Sequence, residues 1–278
     1  MSEFLDCGRF RLPLRRPLVM GIVNVTPDSF SDGARHFRTH EAIAYAQRLV
    51  DEGADILDVG GESTRPGSLA VPVDEELRRV VPVVEALREC GVPISVDTCK
   101  PEVMAAALQA GADMINDIMG FEAPGAAEVV AESACAVCVM HMRGEPRTMQ
   151  DAPVYDDVVR EVGGYLRGRA QALRSLGIAP GRIVLDPGFG FGKSVEHNYT
   201  LLARLRELEA GSYPLLLGMS RKSMIGAVTG RPVDQRLGGS IAAALAGVAR
   251  GARILRVHDV ADTVDALKVW AKVEGNLA

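Results

Sequence analysis

Asp97, Asn116 and Asp186 combine two carboxylates with a primary amide, and each lies at or near the end of a short apolar run. Buried groups of this kind must be hydrogen-bonded, and together they complement a flat heterocycle carrying an amino group and ring N–H donors. Lys222, in the stretch GMSRKS at 218–223, adds a cation able to reach a ring carbonyl or nitrogen. Arg65, Arg221, Arg256 and His258 suit a phosphorylated group, which guanidinium forks and helix N-termini bind well. Any one of these carboxylates, taken alone, reads equally well as half of a salt bridge or as a helix cap. Their meaning depends on whether the chain brings them to one place.

The elements that carry them alternate throughout. Apolar runs bounded by turns recur at 18–24, 56–60, 93–97, 114–117, 135–140, 183–186, 214–219 and 254–258. Helical patterns lie between and after them at 40–53, 74–90, 100–110, 125–133, 156–176, 196–209, 240–250 and 260–274. Eight strand–helix pairs without a break in composition predict one (β/α)8 barrel domain over 1–278 rather than a doubly wound sheet. Residues 4–17, with Gly8 at a turn, read as a small hairpin ahead of the barrel. Each predicted strand is apolar until its end and then presents a polar group: Asn24, Glu62, Asp97, Asn116, His141, Asp186, Ser220 and the pair Arg256/His258. The period of two puts Arg256 and His258 on one face, and Asp97 on the face of Ser95. C-terminal strand ends converge on the active site in barrels of this kind, so these residues predict a polar bowl above an apolar core.

Composition narrows what fills the bowl. Apolar residues make up 47% of the 278, enough for a sizeable core, and the net charge of −5 argues against nucleic acid or an anionic membrane as main partner. An anionic ligand must then be held by a local cluster of arginines. No stretch reads as a signal peptide or membrane span, and five cysteines without framework spacing fit a reducing compartment, so the expected location is cytoplasmic. The small-residue stretch from Ser240 to Gly251 suits close packing against a second copy but does not by itself establish a homodimer.

Two apparent motifs dissolve on inspection. Cys135 and Cys138 have C-x-x-C spacing, but in a strand positions i and i+3 face opposite ways and cannot share a metal. DPGFGFGKS at 186–194 imitates a phosphate loop, yet the pattern needs glycine at 187 and finds proline. A flexible glycine-rich turn remains there, suited to close approach of backbone to a ligand.

A third stretch carries a resemblance. GIVNVTPDSFSDG at 21–33 passes from a strand into a long polar loop with one phenylalanine, Phe30. It resembles the first signature of the dihydropteroate synthases, and DVGGESTRPG at 58–67 resembles the second. SVDT at 95–98, IND at 115–117, MHM at 140–142, DPGFG at 186–190, SRKS at 220–223 and RVHD at 256–259 are similar to further family motifs, so the likeness runs from about residue 18 to the C-terminus. It implies an enzyme that joins 6-hydroxymethyl-7,8-dihydropterin diphosphate to 4-aminobenzoate, releasing pyrophosphate and 7,8-dihydropteroate. Residue by residue, it places the pterin on Asp97, Asn116, Asp186 and Lys222, and Mg²⁺ at Asn24. It places the diphosphate on Thr64, Arg65, Arg256 and His258, and the aminobenzoate among Phe30, Pro66, Phe191 and Ser223. Arg65, Lys222, Arg256 and His258 would carry the catalysis. An arylamine is nucleophilic at neutral pH, which accounts for a bowl of binding groups without a nucleophile–base pair. A pterin-dependent methyltransferase barrel, a lysine Schiff-base aldolase and a catalytically silent relative are the competing readings. Diphosphate dependence, borohydride trapping and a turnover assay separate them.

Overall fold

The computed structural model describes residues 3–25, 35–63, 68–144, 148–208, 211 and 213–275. A hairpin of β1 (Phe4–Cys7) and β2 (Phe10–Pro13) precedes a closed parallel barrel. The barrel strands are β3 (Leu18–Asn24), β4 (Ile56–Gly60), β5 (Ile94–Asp97), β6 (Met114–Asp117), β7 (Ala136–Met140), β8 (Ile183–Asp186), β9 (Leu215–Leu217) and β10 (Ala252–Val257). They pair in sequence order, and β10 closes on β3. The helices that follow them are α1 (Arg35–Asp51), α2 (Val73–Leu87), α3 (Pro101–Ala110), α4 (Ala126–Ala131), α5 (Val158–Ser175), α6 (Val195–Ala203), α7 (Ser223–Thr229), α8 (Leu237–Val248) and α9 (Val260–Val273). The predicted (β/α)8 barrel with an N-terminal hairpin is therefore what the chain forms.

Local signals explain several boundaries. α3 opens on Pro101, whose missing N–H is not needed in the first turn, and closes at Gly111 with φ 114°. Asp157 caps α5 by accepting from the N–H groups of Val159 and Arg160. The sequence predicts one helix after the seventh barrel strand; the structure has α7 and α8. Gly230 at φ 67° and Pro232 interrupt the run between them. The helix expected over 196–209 stops at Ala203, and a 3-10 turn over Leu205–Leu208 completes it, with Arg204 turned aside to Asp157 and Glu207.

Alternation along the strands sorts the core into two layers. Outward residues such as Val19, Leu57, Val96, Ile115, Val137, Leu185 and Leu255 pack under the helices. Inward residues Leu18, Met20, Ile56, Met114, Ala136, Cys138, Val184, Leu216 and Ile254 fill the lower barrel together with Leu5, Cys7 and Leu14 of the hairpin segment. Each fully buried side chain of this size contributes about 1.5–3 kcal/mol. Cys135 lies in the outer layer and Cys138 in the inner one, as the opposite faces of a strand require. The hairpin is fastened to the barrel floor through Asp113, which accepts from Arg9 Nε at 3.0 Å, Arg9 Nη2 at 2.9 Å and the N–H of Ile94 at 3.1 Å.

Candidate active site

The inward rows change character two residues further along. Above Ile56 stands Asp58, above Met114 stands Asn116, above Val184 stands Asp186, and above Ile254 stands Arg256. Register fixes their heights: Asp97 is level with Asn116 on one side and with Gly60 on the other, and Gly60 is level with Asn24. Gly60 leaves room for its neighbour, since a Cβ there would already touch Asp97 Cβ at 3.6 Å.

Arg256 is the hub of this layer. Its Nε donates to Asp58 Oδ2 at 2.6 Å and its Nη2 to Asp97 Oδ2 at 2.8 Å. Asn116 Nδ2 approaches the same Asp58 oxygen at 3.4 Å. Burial raises the pKa of Asp97, and the neighbouring guanidinium pulls it back. Asp58 Oδ1 and Ser95 Oγ, both buried, have no hydrogen-bond partner among the described residues. The two residues are direct register partners, so two unpartnered buried oxygens stand side by side on one wall of the barrel. Sequence reasoning gave Asp58 no role. The available signal was a carboxylate on the inward parity of an otherwise apolar strand.

Across the bowl stand Asp186 and Lys222. Asp186 Oδ1 accepts from Gly188 N at 2.7 Å, and burial pushes its pKa up against the pull of Lys222. Burial lowers Lys222 to about 8, opposed by Asp186. The Lys222 ammonium donates to Phe189 O and lies 4.6 Å from the centre of the Phe191 ring. Phe191 belongs to an apolar collar with Ile118, Met140 and Met149. Ser223 is exposed at the first position of α7, next to Lys222.

The remaining predicted residues are engaged more locally. His258 Nδ1 lies 3.0 Å from Ser220 Oγ, which also accepts from the His258 N–H at 3.2 Å. Arg221 pairs with Asp259 through Nε at 3.0 Å. Glu62 and the buried Glu76 share Lys100 between them. His141 is a core histidine: burial, then the adjacent Lys193, lowers it to about 3, and its ring meets Tyr165 edge-on at 5.1 Å. A depression of about 520 Å³ lies beside it, lined by Arg143, Arg160, Glu161 and Tyr165, but the inward-facing layer of Asp58, Asp97, Asn116, Asp186 and Arg256 is not part of that lining. Phe30, Thr64, Arg65 and Pro66 lie outside the described residues. The structure thus brings Asp97, Asn116, Asp186, Lys222, Arg256 and Phe191 to one bowl, with Asn24 at the same level of the wall and His258 on the inward face one step beyond Arg256.

For the expected Mg²⁺, the donor set is sparse. Among the described residues no three His, Cys, Asp or Glu side chains gather as a metal cage. A single half-buried amide oxygen at Asn24 fits an ion that keeps water ligands and is otherwise bound through substrate phosphates.

Comparison with known proteins agrees with this geometry. The model of the pterin binding enzyme family matches residues 20–258. Dihydropteroate synthase of Escherichia coli strain K12 is 53% identical over 259 residues, covering 93% of this chain and 92% of its own. The crystal structure of Burkholderia cenocepacia dihydropteroate synthase complexed with 7,8-dihydropteroate superposes with a TM-score of 0.90 at 56% identity, covering 99% of this chain and 97% of that one. The Xanthomonas albilineans dihydropteroate synthase with 4-aminobenzoic acid gives 0.93 at 55% identity, covering 99% of both chains. An inward wall of carboxylates, amide and lysine at the top of a (β/α)8 barrel, with these likenesses along nearly its whole length, means that the chain belongs to the pterin-binding enzyme family, among its dihydropteroate synthases.

Proposed function

We propose that the inward polar layer holds the dihydropterin ring while 4-aminobenzoate enters over the apolar collar. The reaction is the condensation of 6-hydroxymethyl-7,8-dihydropterin diphosphate with 4-aminobenzoate to 7,8-dihydropteroate and pyrophosphate. The carrying observation is the Asp58–Arg256–Asp97 contact beside two unpartnered buried oxygens. A ring with an amino group and N–H donors supplies what Asp58 Oδ1 and the carboxylate of Asp97 lack, and Asn116 and Asp186 continue the same edge. Lys222 donates to the ring's carbonyl or nitrogen side.

The exocyclic carbon–oxygen bond breaks, pyrophosphate leaves with the electron pair, and the arylamine nitrogen forms the new bond and loses a proton. Arg256 and His258, together with Thr64 and Arg65, stabilise the departing charge. When bound at Asn24, Mg²⁺ supplies further neutralisation of the diphosphate. Positioning supplies much of the rest, which suits a site holding donors and acceptors in place of a nucleophile. Phe30 and Pro66 complete the aminobenzoate pocket with Phe191 and Ser223, and the second substrate binds after the first.

The test is formation of dihydropteroate by the purified protein, with Asp97→Asn alongside. Turnover by the wild type and a loss of about tenfold or more in pterin affinity for the variant are expected. Unchanged pterin binding in calorimetry would place the ring elsewhere. We also place the protein in the cytoplasm as a homodimer: Val228, Val233 and Leu237 are exposed on the α7–α8 side and supply an apolar face for a second copy. Sedimentation of a monomer at micromolar concentration would remove that assignment.

A further inference from the structure

We infer that Lys193 and Asn198 are positioning residues for the pterin pocket, a two-sided clamp that fixes the glycine-rich turn after β8. The inference rests on the pterin reading of the bowl. Lys193 stands where a phosphate loop would carry its lysine, but its ammonium is spent within the protein. Only 2% exposed, it donates to Gly188 O at 2.9 Å and Phe191 O at 3.0 Å, and its Nζ lies 3.0 Å from His141 Nδ1. With His141 O also at 3.4 Å, the Nζ is enclosed by groups of its own protein, which leaves no donor for an anion. Burial, and then Lys193 beside it, keeps that imidazole neutral. Asn198, from the first turns of α6, holds the other side. Its Oδ1 accepts from Gly190 N at 2.8 Å, and its Nδ2 donates to Ser194 O at 2.7 Å and Lys193 O at 3.2 Å.

The turn has little regular structure of its own, so its backbone groups need partners from elsewhere. Besides the two clamping residues, Tyr155 Oη donates to Gly192 O at 2.8 Å, and Phe191 N donates to Gly188 O at 3.1 Å. The fit is close: a Cβ at Gly188, where φ is 67°, would lie 1.9 Å from His141 O. Gln150 Nε2 also donates to Gly190 O, and the groups that the turn presents to the bowl depend on this network. Gly188 N holds Asp186, Phe189 O holds the Lys222 ammonium, and Phe191 carries the ring beside it. Lys193 and Asn198 touch none of the substrates themselves. They fix the atoms that fix Asp186 and Lys222, and displacements of about 1 Å at such distance cost on the order of a hundredfold.

The experiment uses Lys193→Met, Asn198→Ala and Asn198→Asp in the full chain. Amide hydrogen exchange is read over 186–194, and pterin binding is read by calorimetry. Asn198→Ala removes both halves of the side chain, whereas Asn198→Asp keeps the acceptor for Gly190 N but, when ionised, sets a buried carboxylate against the carbonyls of Ser194 and Lys193, a clash relieved when its carboxyl is protonated and can donate. Exchange across the turn should quicken about tenfold or more in Lys193→Met and Asn198→Ala, and pterin affinity should fall about tenfold or more, while Asn198→Asp should lose affinity as pH rises and its carboxyl ionises, a dependence that Asn198→Ala lacks. Unchanged exchange in Asn198→Ala would overturn the clamp. Faster exchange with unchanged pterin affinity would overturn its positioning role, and so would the same pH profile of affinity in the two Asn198 variants. If Lys193→Met does not fold, the Asn198 pair decides. A wild-type protein that binds no pterin would overturn the reading of the bowl, and the exchange measurement would still judge the clamp.

Discussion

The two ends of the barrel are built from the same strands and obey opposite rules. At the lower end the inward side chains are apolar and sealed by the hairpin, and the one buried carboxylate there, Asp113, takes bonds from Arg9 and from the backbone of Ile94. At the upper end most strands turn charged or polar on their inward face, and Asp58 Oδ1 and Ser95 Oγ have no bond among the described residues. The change takes one step of the strand repeat, from Ile56 to Asp58 or from Ile254 to Arg256. Stability is concentrated below that line and chemistry above it, so a substitution's effect should depend on which side it falls. This separation matters because an unpartnered buried oxygen costs stability, and a chain keeps it where a ligand repays it.

The largest effect expected from breaking this contrast is at the lower end. Leu18→Ala opens a cavity in the buried apolar layer, beside Ile254 and away from Arg256, and should lower stability by about 2–5 kcal/mol in denaturant titration, with kcat near wild type at temperatures where the variant stays folded. A large drop in kcat on folded protein would show that the two ends are mechanically linked. Next comes Arg256→Lys. The charge remains, but one ammonium cannot bridge Asp58 and Asp97 as the guanidinium fork does. Turnover should fall about tenfold or more, and the folding midpoint should move far less than for Leu18→Ala. Full activity would mean that the diphosphate and both carboxylates are managed by other residues.

Two pH responses sharpen the comparison further. Lys222 titrates at about 8, so its ammonium, the form that donates to the ring, is lost as pH rises through that value. Pterin affinity should decline above pH 8, approaching about tenfold per unit if the charged form alone binds. A flat profile to pH 9.5 would remove Lys222 from the binding set. The smallest effect concerns His141, whose folded value of about 3 lies below the ordinary 6.5. The unfolded chain therefore binds the proton first, and His141 should subtract stability as pH falls from about 6.5 toward 3. Replacing it with Asn should flatten the stability curve in that window without moving the pH dependence of pterin binding above pH 8. An unchanged stability curve would mean that His141 is more hydrated than its burial indicates.

The sequence by itself determined the barrel, because eight apolar runs and eight helical patterns in strict alternation leave few ways to bury every strand on both faces. It also determined which residues stand at the strand ends, since the period of two assigns a face without any tertiary information. Cys135 and Cys138 separated as that period requires, and Asp97, Asn116 and Asp186 met where barrel closure sends strand ends. What the sequence did not determine was pairing among side chains far apart in the chain. Nothing local says that Arg256 reaches Asp58, that His141 is neutral beside Lys193, or that Glu62 is claimed by Lys100. Those outcomes depend on the stagger between strands and on which charges burial brings within about 3–4 Å, where a short change in distance or desolvation decides the partner. The lysine of the false phosphate loop shows the same limit: its type and spacing were legible, but only the folded chain shows that groups of its own protein already enclose its Nζ.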